Sequence, residues 1–352
     1  MKRFADSHIH FYDYDYAGAK RCLDAMHAWG VTDTAVQSLT AYPSGGVAQN
    51  LFALYVKNSY KGPVDLRAFG SLHEFDRYGS TPYEKQLDTM LGMGFDGMKF
   101  IHMKPNARSV IGKGICDPSY DGVLSAMEER GTPMVMHSGD PAWFWDRSQV
   151  TDAIIQRGWF YGDQSVYLPY QTYYDEVYAM LDKHPRLNLT MAHFFFLADN
   201  YDEAVRVMET YPCVKFDLTP AWEIYVEFAK DKEKWHDFFE KYSDRIIFGT
   251  DSSDRGTEQG INKLHDLVYL GLVRDDEFLM PTNGKHMMTG LKVSDSTLDK
   301  ICCGNYLRYF GESTAPVDAG KLYSFAERML SEISEDEGEQ ASATWLREML
   351  LK

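Results

Sequence analysis

Eight short apolar or β-branched runs alternate with segments of helical period over about 250 residues, and this alternation predicts an α/β chain: a (β/α)8 TIM barrel with extra C-terminal helices. One further observation favours a closed barrel over an open doubly wound sheet: no glycine-rich phosphate loop follows the first run. Several runs end on one histidine or aspartate.

Residues 4–10 form the first expected strand, in which His8 and His10 stand two apart and share a face. A helix over 17–29 follows and should stop at Gly30. Strand 34–39, helix 49–60, strand 66–72 and helix 82–93 come next, the last stopping at Gly94. Strand 97–101 leads to helix 120–130, which should stop at Gly131. Strand 133–137 opens a long connection to helix 173–184. Strand 187–193, helix 199–211, strand 214–218, helix 222–241 and strand 246–251 follow, and 261–272 supplies the eighth helix. Residues 279–293 hold Pro281, Asn283, Gly284 and Gly290 and read as a loop. Helices are expected at 298–310 and 322–333, then an acidic hinge at 334–339. A final amphipathic helix at 341–351 carries Trp345, Leu346, Met349 and Leu350, a face for the core or for a second copy in a homo-oligomer. No linker or composition shift divides the chain, so 1–352 reads as one domain, with 295–352 as helices packed on the barrel.

The 352 residues, 44% hydrophobic and 14% aromatic, are enough for a sizeable core. A formal charge of -16 argues against nucleic acid and against anionic membranes as partners and otherwise reads as solubility; a small-molecule substrate is expected. Five cysteines without paired spacing suit a reducing, cytoplasmic compartment. The beginning shows no apolar signal region, and no 18-residue apolar run follows.

The strand ends carry the chemistry. Strand five ends on His137, strand six on His193 and strand eight on Asp251, each polar residue closing an apolar run. In a parallel barrel these would converge with His8 and His10. Neutral imidazoles with a carboxylate suit one divalent ion, Zn2+ first and Mn2+ as the alternative, with a position left for water. A single histidine after a strand would read as a satisfied core residue; five such residues on strands one, five, six and eight would each need that coincidence.

The run Asp6-Ser7-His8-Ile9-His10, the run from Arg245 to Asp251 and the stretch from Gly304 to Gly311 resemble the amidohydrolase superfamily. The resemblance is to its amidohydrolase-related branch of metal-dependent hydrolases and decarboxylases. It implies that His8, His10, His137 and Asp251 bind the metal and that His193 is the catalytic histidine beside it. Where that branch often has small residues after the strand-six histidine, this chain has Phe194, Phe195 and Phe196. Lys99, on strand four, matches the lysine that is carboxylated in binuclear relatives, but the branch implies a single metal. Asp217 closes strand seven and either lines the site or supports it from behind.

A bound divalent ion brings the pKa of water from about 16 toward 7. Asp251 could take that proton, and His193 could polarise the substrate oxygen or protonate a leaving group. A metal-dependent hydrolase of a small amide, ester or lactone is expected. The alternative is a nonoxidative decarboxylase of an aromatic or unsaturated acid, because the same ligands serve both. A catalytically inert metal scaffold fits less well, since a structural site needs only a closed shell. Trp143, Trp159, Phe160, Tyr161, Tyr167 and Tyr170 lie in the long connection after strand five, which reads as a lid whose rings either shape a pocket or pack among themselves to hold the loop. Lys104, Arg108 and Arg147 are candidate carboxylate partners, while His73 and His102 read as structural histidines.

Overall fold

A computed structural model describes residues 3–40, 48–74, 77–220, 222–332 and 337–351. Seven strands follow in sequence: β1 (Phe4–His10), β2 (Val31–Gln37), β3 (Asp65–Gly70), β4 (Gly97–Met103), β5 (Met134–Ser138), β6 (Leu189–Met191) and β7 (Val214–Asp217). The eighth is interrupted, as β8 (Ile246–Ile247) and β9 (Ser252–Ser253). Pairing is parallel throughout, in the order β8-β7-β6-β5-β4-β3-β2-β1-β9. The two edges of this sheet are therefore one stretch of chain. Between β8 and β9 the backbone bonds straight to β1: Ser7 N donates to Phe248 O at 2.9 Å and Asp251 N to His8 O at 2.8 Å. The sheet closes, and the chain is the expected TIM barrel.

Alternation along the strands fills the barrel. Ala5, Ala35, Phe69, Val135 and Ile247 form its inner cluster. Gly97 is small for a reason: a Cβ there would lie 2.5 Å from the Phe69 ring. The β1 register shifts between Asp6 and Ile9. Strict alternation from Ala5 would turn Ile9 inward; the shift sends Ile9 to the outer core and turns His8 and His10 inside. At the N-terminal end the helix Asn305–Phe310 caps the barrel, with Tyr306 and Phe310 joining the inner cluster. Asn305 Nδ2 ties it down by donating to Ser243 O and Ile246 O, both at 2.7 Å.

Gly30, Gly94 and Gly131 do end helices, each at positive φ (127°, 111° and 64°). Other elements differ from expectation. The helix expected over 222–241 is two, Trp222–Lys230 and Lys232–Lys241, because Asp231 caps the second by accepting from Lys234 N. The loop expected at 279–293 contains an antiparallel hairpin, Glu277–Leu279 with Met287–Thr289. The 298–310 helix is broken into Asp295–Asp299, a wide turn Lys300–Gly304, and Asn305–Phe310. Short helices at Pro105–Ile111 and Asp152–Gln156 are additional. The end of the 322–333 helix and the first half of the acidic hinge, together 333–336, lie outside the described residues, while 337–339 belong to the last helix, Glu337–Leu350. Trp345 from that helix is buried against Tyr14, Phe52 and Tyr55.

Candidate metal centre

His8, His10 and Asp251 come together: one ligand atom from each lies within 4.8 Å of the others. The partners of each ring decide which nitrogen is free. His8 Nδ1 donates to Asp217 Oδ2 at 3.0 Å, and His10 Nδ1 donates to Gln37 O at 2.7 Å. Both Nε2 atoms are thereby left without a ring proton, and they face each other at 3.2 Å. Asp251 Oδ1 lies 3.1 Å from His10 Nε2. Burial, then the neighbouring Lys99, push the His8 imidazole down to about 4, so it is neutral at neutral pH. Burial alone would raise the Asp251 carboxyl, but His10, His8 and His193 outweigh it and hold that carboxyl well below the usual range.

Asp217, left open between two roles by the sequence, faces away from the bare nitrogens. Besides His8 it accepts from His193 N at 2.8 Å and Thr219 N at 3.1 Å. It fixes the orientation of one histidine and the backbone of another, the part that carboxylates commonly play behind a ligating imidazole. Asp6 does similar work below. It accepts from His8 N, Thr250 N and Thr250 Oγ1, joining β1 to the interrupted strand.

His193 leaves β6 on an unusual backbone. His193, Phe194, Phe195 and Phe196 all have φ between 50° and 55°, a left-handed turn without glycine. Such a conformation costs roughly 1–2 kcal/mol per residue. The phenylalanines offset it by burial. Phe194 packs on Phe216 and Phe239, and Phe195 on Tyr174. Phe196 alone of the three touches the site, stacked on His193 and 5.4 Å from the His137 ring. The His193 ring lies 5.6 Å from that of His8, and its buried Nδ1 has no partner. Burial pushes this imidazole down to about 4, so it too is neutral. Asp251 shares the left-handed backbone, at φ 59°.

His137 packs against His193, ring centroids 4.7 Å apart, but stands outside the three-residue cluster. Its Nε2 lies 3.1 Å from Gly139 O and 3.3 Å from Asp140 Oδ1. Two cations reach the same space. Lys99 Nζ is 3.0 Å from His8 Nε2, its ammonium brought down to about 8 by burial. Lys104 Nζ is 3.3 Å from His137 Nε2 and bonds both oxygens of Asp140.

The remaining candidates separate cleanly. Arg108 is paired with Glu176, and Arg147 with the exposed Asp152. His102 bonds Glu74, and His73 bonds Asn50. The aromatic residues after β5 pack among themselves around Phe144, Val150 and Tyr161. They also border the centre, since Tyr161 OH donates to Asp140 and Lys104 Nζ lies 5.8 Å from the Trp159 ring centroid. Sequence reasoning missed Asp140 and the tie it makes. The only available signal was an aspartate three residues after the strand-five histidine, across Gly139.

The donor set fits a divalent ion. Two bare imidazole nitrogens and a carboxylate converge at a strand-end face, with a second carboxylate orienting one ring behind it. The amidohydrolase family model matches residues 5–311. No curated protein matches the chain. Among solved structures, an uncharacterized TIM-barrel protein from Bordetella bronchiseptica is similar at TM-score 0.53 and 12% identity, covering 87% of this chain and 98% of that one. A 2,6-dihydroxybenzoate decarboxylase gives 0.50 and 15%, with 88% and 99% covered. The 4-oxalomesaconate hydratase of Rhodopseudomonas palustris gives 0.51 and 11%, with 87% and 95%. The chain belongs to the amidohydrolase family, and it is an enzyme of that superfamily.

Proposed function

We propose that this amidohydrolase-family enzyme hydrolyses a small amide, ester or lactone, using one divalent ion held by His8, His10, His137 and Asp251. The observation that carries the reading is the pair of Nε2 atoms without ring protons, 3.2 Å apart beside the Asp251 carboxylate. Lone pairs so opposed repel unless a cation stands beside them; the Lys99 ammonium, 3.0 Å from His8 Nε2, is one such cation and a metal ion would be another. Zn2+ suits nitrogen-rich donors of this kind, with Mn2+ the alternative. When bound, the ion supplies Lewis acidity and an acidified water.

The chain's own residues do the rest. Asp251 stays ionised at neutral pH and accepts the proton of the attacking water at its carboxylate. His193, neutral and outside the three-residue cluster, presents a ring nitrogen to the substrate, polarising its oxygen or carrying the proton to the leaving group. Asp217 holds both histidines in register by accepting from the His8 ring and from His193 N. The aromatic segment after β5 borders the centre and limits the access of bulk water to it. The substrate is a small molecule, and the enzyme works in the cytoplasm.

A second reading rests on Lys99 and Lys104, whose ammonium groups flank the same centre. They would suit a substrate carboxylate, and with it nonoxidative decarboxylation of an aromatic or unsaturated acid. Incubation with a panel of amides, lactones and unsaturated carboxylic acids separates the two. Ring opening or amide cleavage without gas supports hydrolysis; CO2 release from an acid that is not otherwise cleaved overturns it in favour of the second reading.

A further inference from the structure

Asp140 sits at a junction that the reaction alone does not require. It is buried, 3% exposed, on the turn after β5 where Gly139 adopts φ 70°. Three groups converge on its carboxylate. Lys104 Nζ approaches at 2.9 and 2.8 Å, Tyr161 OH donates to Oδ2 at 2.7 Å, and His137 Nε2 lies 3.3 Å from Oδ1. Lys104 comes from the end of β4, Tyr161 from the aromatic segment and His137 from β5.

The partners of His137 favour one tautomer. Two groups at Nε2 can only accept, Gly139 O at 3.1 Å and Asp140 Oδ1 at 3.3 Å, which favours a proton on Nε2; the one donor there, Lys104 Nζ at 3.3 Å, directs two of its protons to Asp140. That leaves Nδ1 as the bare nitrogen of His137, the reverse of His8 and His10, which keep Nε2 bare. We infer that Asp140 is a positioning residue that couples the aromatic segment to His137: docking of Tyr161 holds the carboxylate that selects the Nδ1-bare ring, so segment closure and metal affinity rise together. Coupling of this kind is reciprocal, and metal binding must steady the segment as much as the segment steadies the metal site.

This rests on the metal-centre reading only in part, and the test separates the two. In the metal-free protein, 15N NMR of the imidazoles should find His137 protonated at Nε2. Asp140→Asn should mix its tautomers, because the amide offers one acceptor and places NH2 against Lys104. An unchanged His137 signal in that variant overturns the inference, whatever the metal does. With Zn2+ and a competing chromophoric chelator, Asp140→Asn should weaken binding roughly 10–100-fold. Tyr161→Phe, which loses only the hydroxyl, should weaken it roughly fivefold or more. Val166→Ala, an exposed position in the same segment, should leave it unaltered. Zn2+ should also slow hydrogen exchange across 142–167. Equal loss in Tyr161→Phe and Val166→Ala would mean general loosening and overturn the coupling. A wild-type protein that takes up no Zn2+ would sink the metal-centre reading, and the tautomer measurement would still decide the role of Asp140.

Discussion

At the N-terminal end of the barrel, Arg67 is fully buried, with Asp33 at 3.5 Å, Gly311 O at 2.6 Å and the Tyr306 ring beneath its guanidinium. Lys215, also inside, donates to Asn188 Oδ1 and Cys213 O and lies over Tyr309. At the C-terminal end, lone pairs are turned toward one another: the Nε2 atoms of His8 and His10, the first with Lys99 Nζ beside it, then the orphaned His193 Nδ1, all next to a left-handed backbone at His193 and Asp251. The first end holds its charges mostly in pairs, with Arg67 Nε left over, and its positive φ falls on a glycine, Gly311. The second keeps strain and unpaired atoms in place, supported by Asp6, Asp217 and the buried phenylalanines. The difference teaches where stability and chemistry reside in this barrel, and it can be broken by substitutions that should affect one end alone.

The largest effect is expected at the centre. The His8→Ala, His10→Ala double variant should fall from about one bound divalent ion per chain to none, with activity lost; elemental analysis that finds full occupancy would dismantle the assigned ligand set. A wild-type ratio near two would instead point to a carboxylated Lys99. His193→Asn comes next. Asparagine tolerates the left-handed backbone, so metal content should stay near normal while turnover drops ~10²–10⁴-fold. Loss of metal in step with activity would place His193 among the ligands.

At the other end, Phe310→Ala empties the inner cluster beside Phe69 and should cost ~3–5 kcal/mol of stability. Metal content of the folded fraction should not change; urea titration read alongside metal analysis checks both, and a variant that loses metal first would erase the contrast. The smallest effect is one of pH on the metal-free protein. His8 and His193 are pushed down to about 4, and His137 well below its usual value, chiefly by burial. Below about 6.5 the unfolded chain takes up protons that these rings refuse. Their contribution is therefore complete above that pH and is lost as pH falls toward 4, at about 1.4 kcal/mol per pH unit per histidine. Phe310→Ala should lower the whole curve without changing this slope, and a flat curve between pH 6.5 and 4.5 would contradict the burial described for the three rings.

Much of this was legible in the residues. Alternating periods gave the barrel, and glycines at 30, 94 and 131 marked helix ends because each needs a positive φ. The polar residue closing each apolar strand marked the strand-end face. The interruption of the last strand was not legible, because nothing in the run from Ile246 to Ser253 signals that its middle pairs with β1. Nor was the left-handed turn at 193–196: three phenylalanines predict ordinary backbone, and only their outer packing makes the strained one affordable. The role of Asp217 and the junction at Asp140 depend on partners far away in sequence, and local pattern does not encode them.

The barrel's closing seam is also where Asp251 sits. Thr250 N reaches Asp6 across 244 residues of sequence, and Asp251 N reaches His8 O beside it. During synthesis the first two histidines leave the ribosome long before the segment that completes their surroundings exists. No shorter fragment of the barrel can assemble the centre, and closing so long a loop is among the slower events of folding. Appearance of a high-affinity metal site would therefore time the last step of barrel closure, a folding clock built into the molecule.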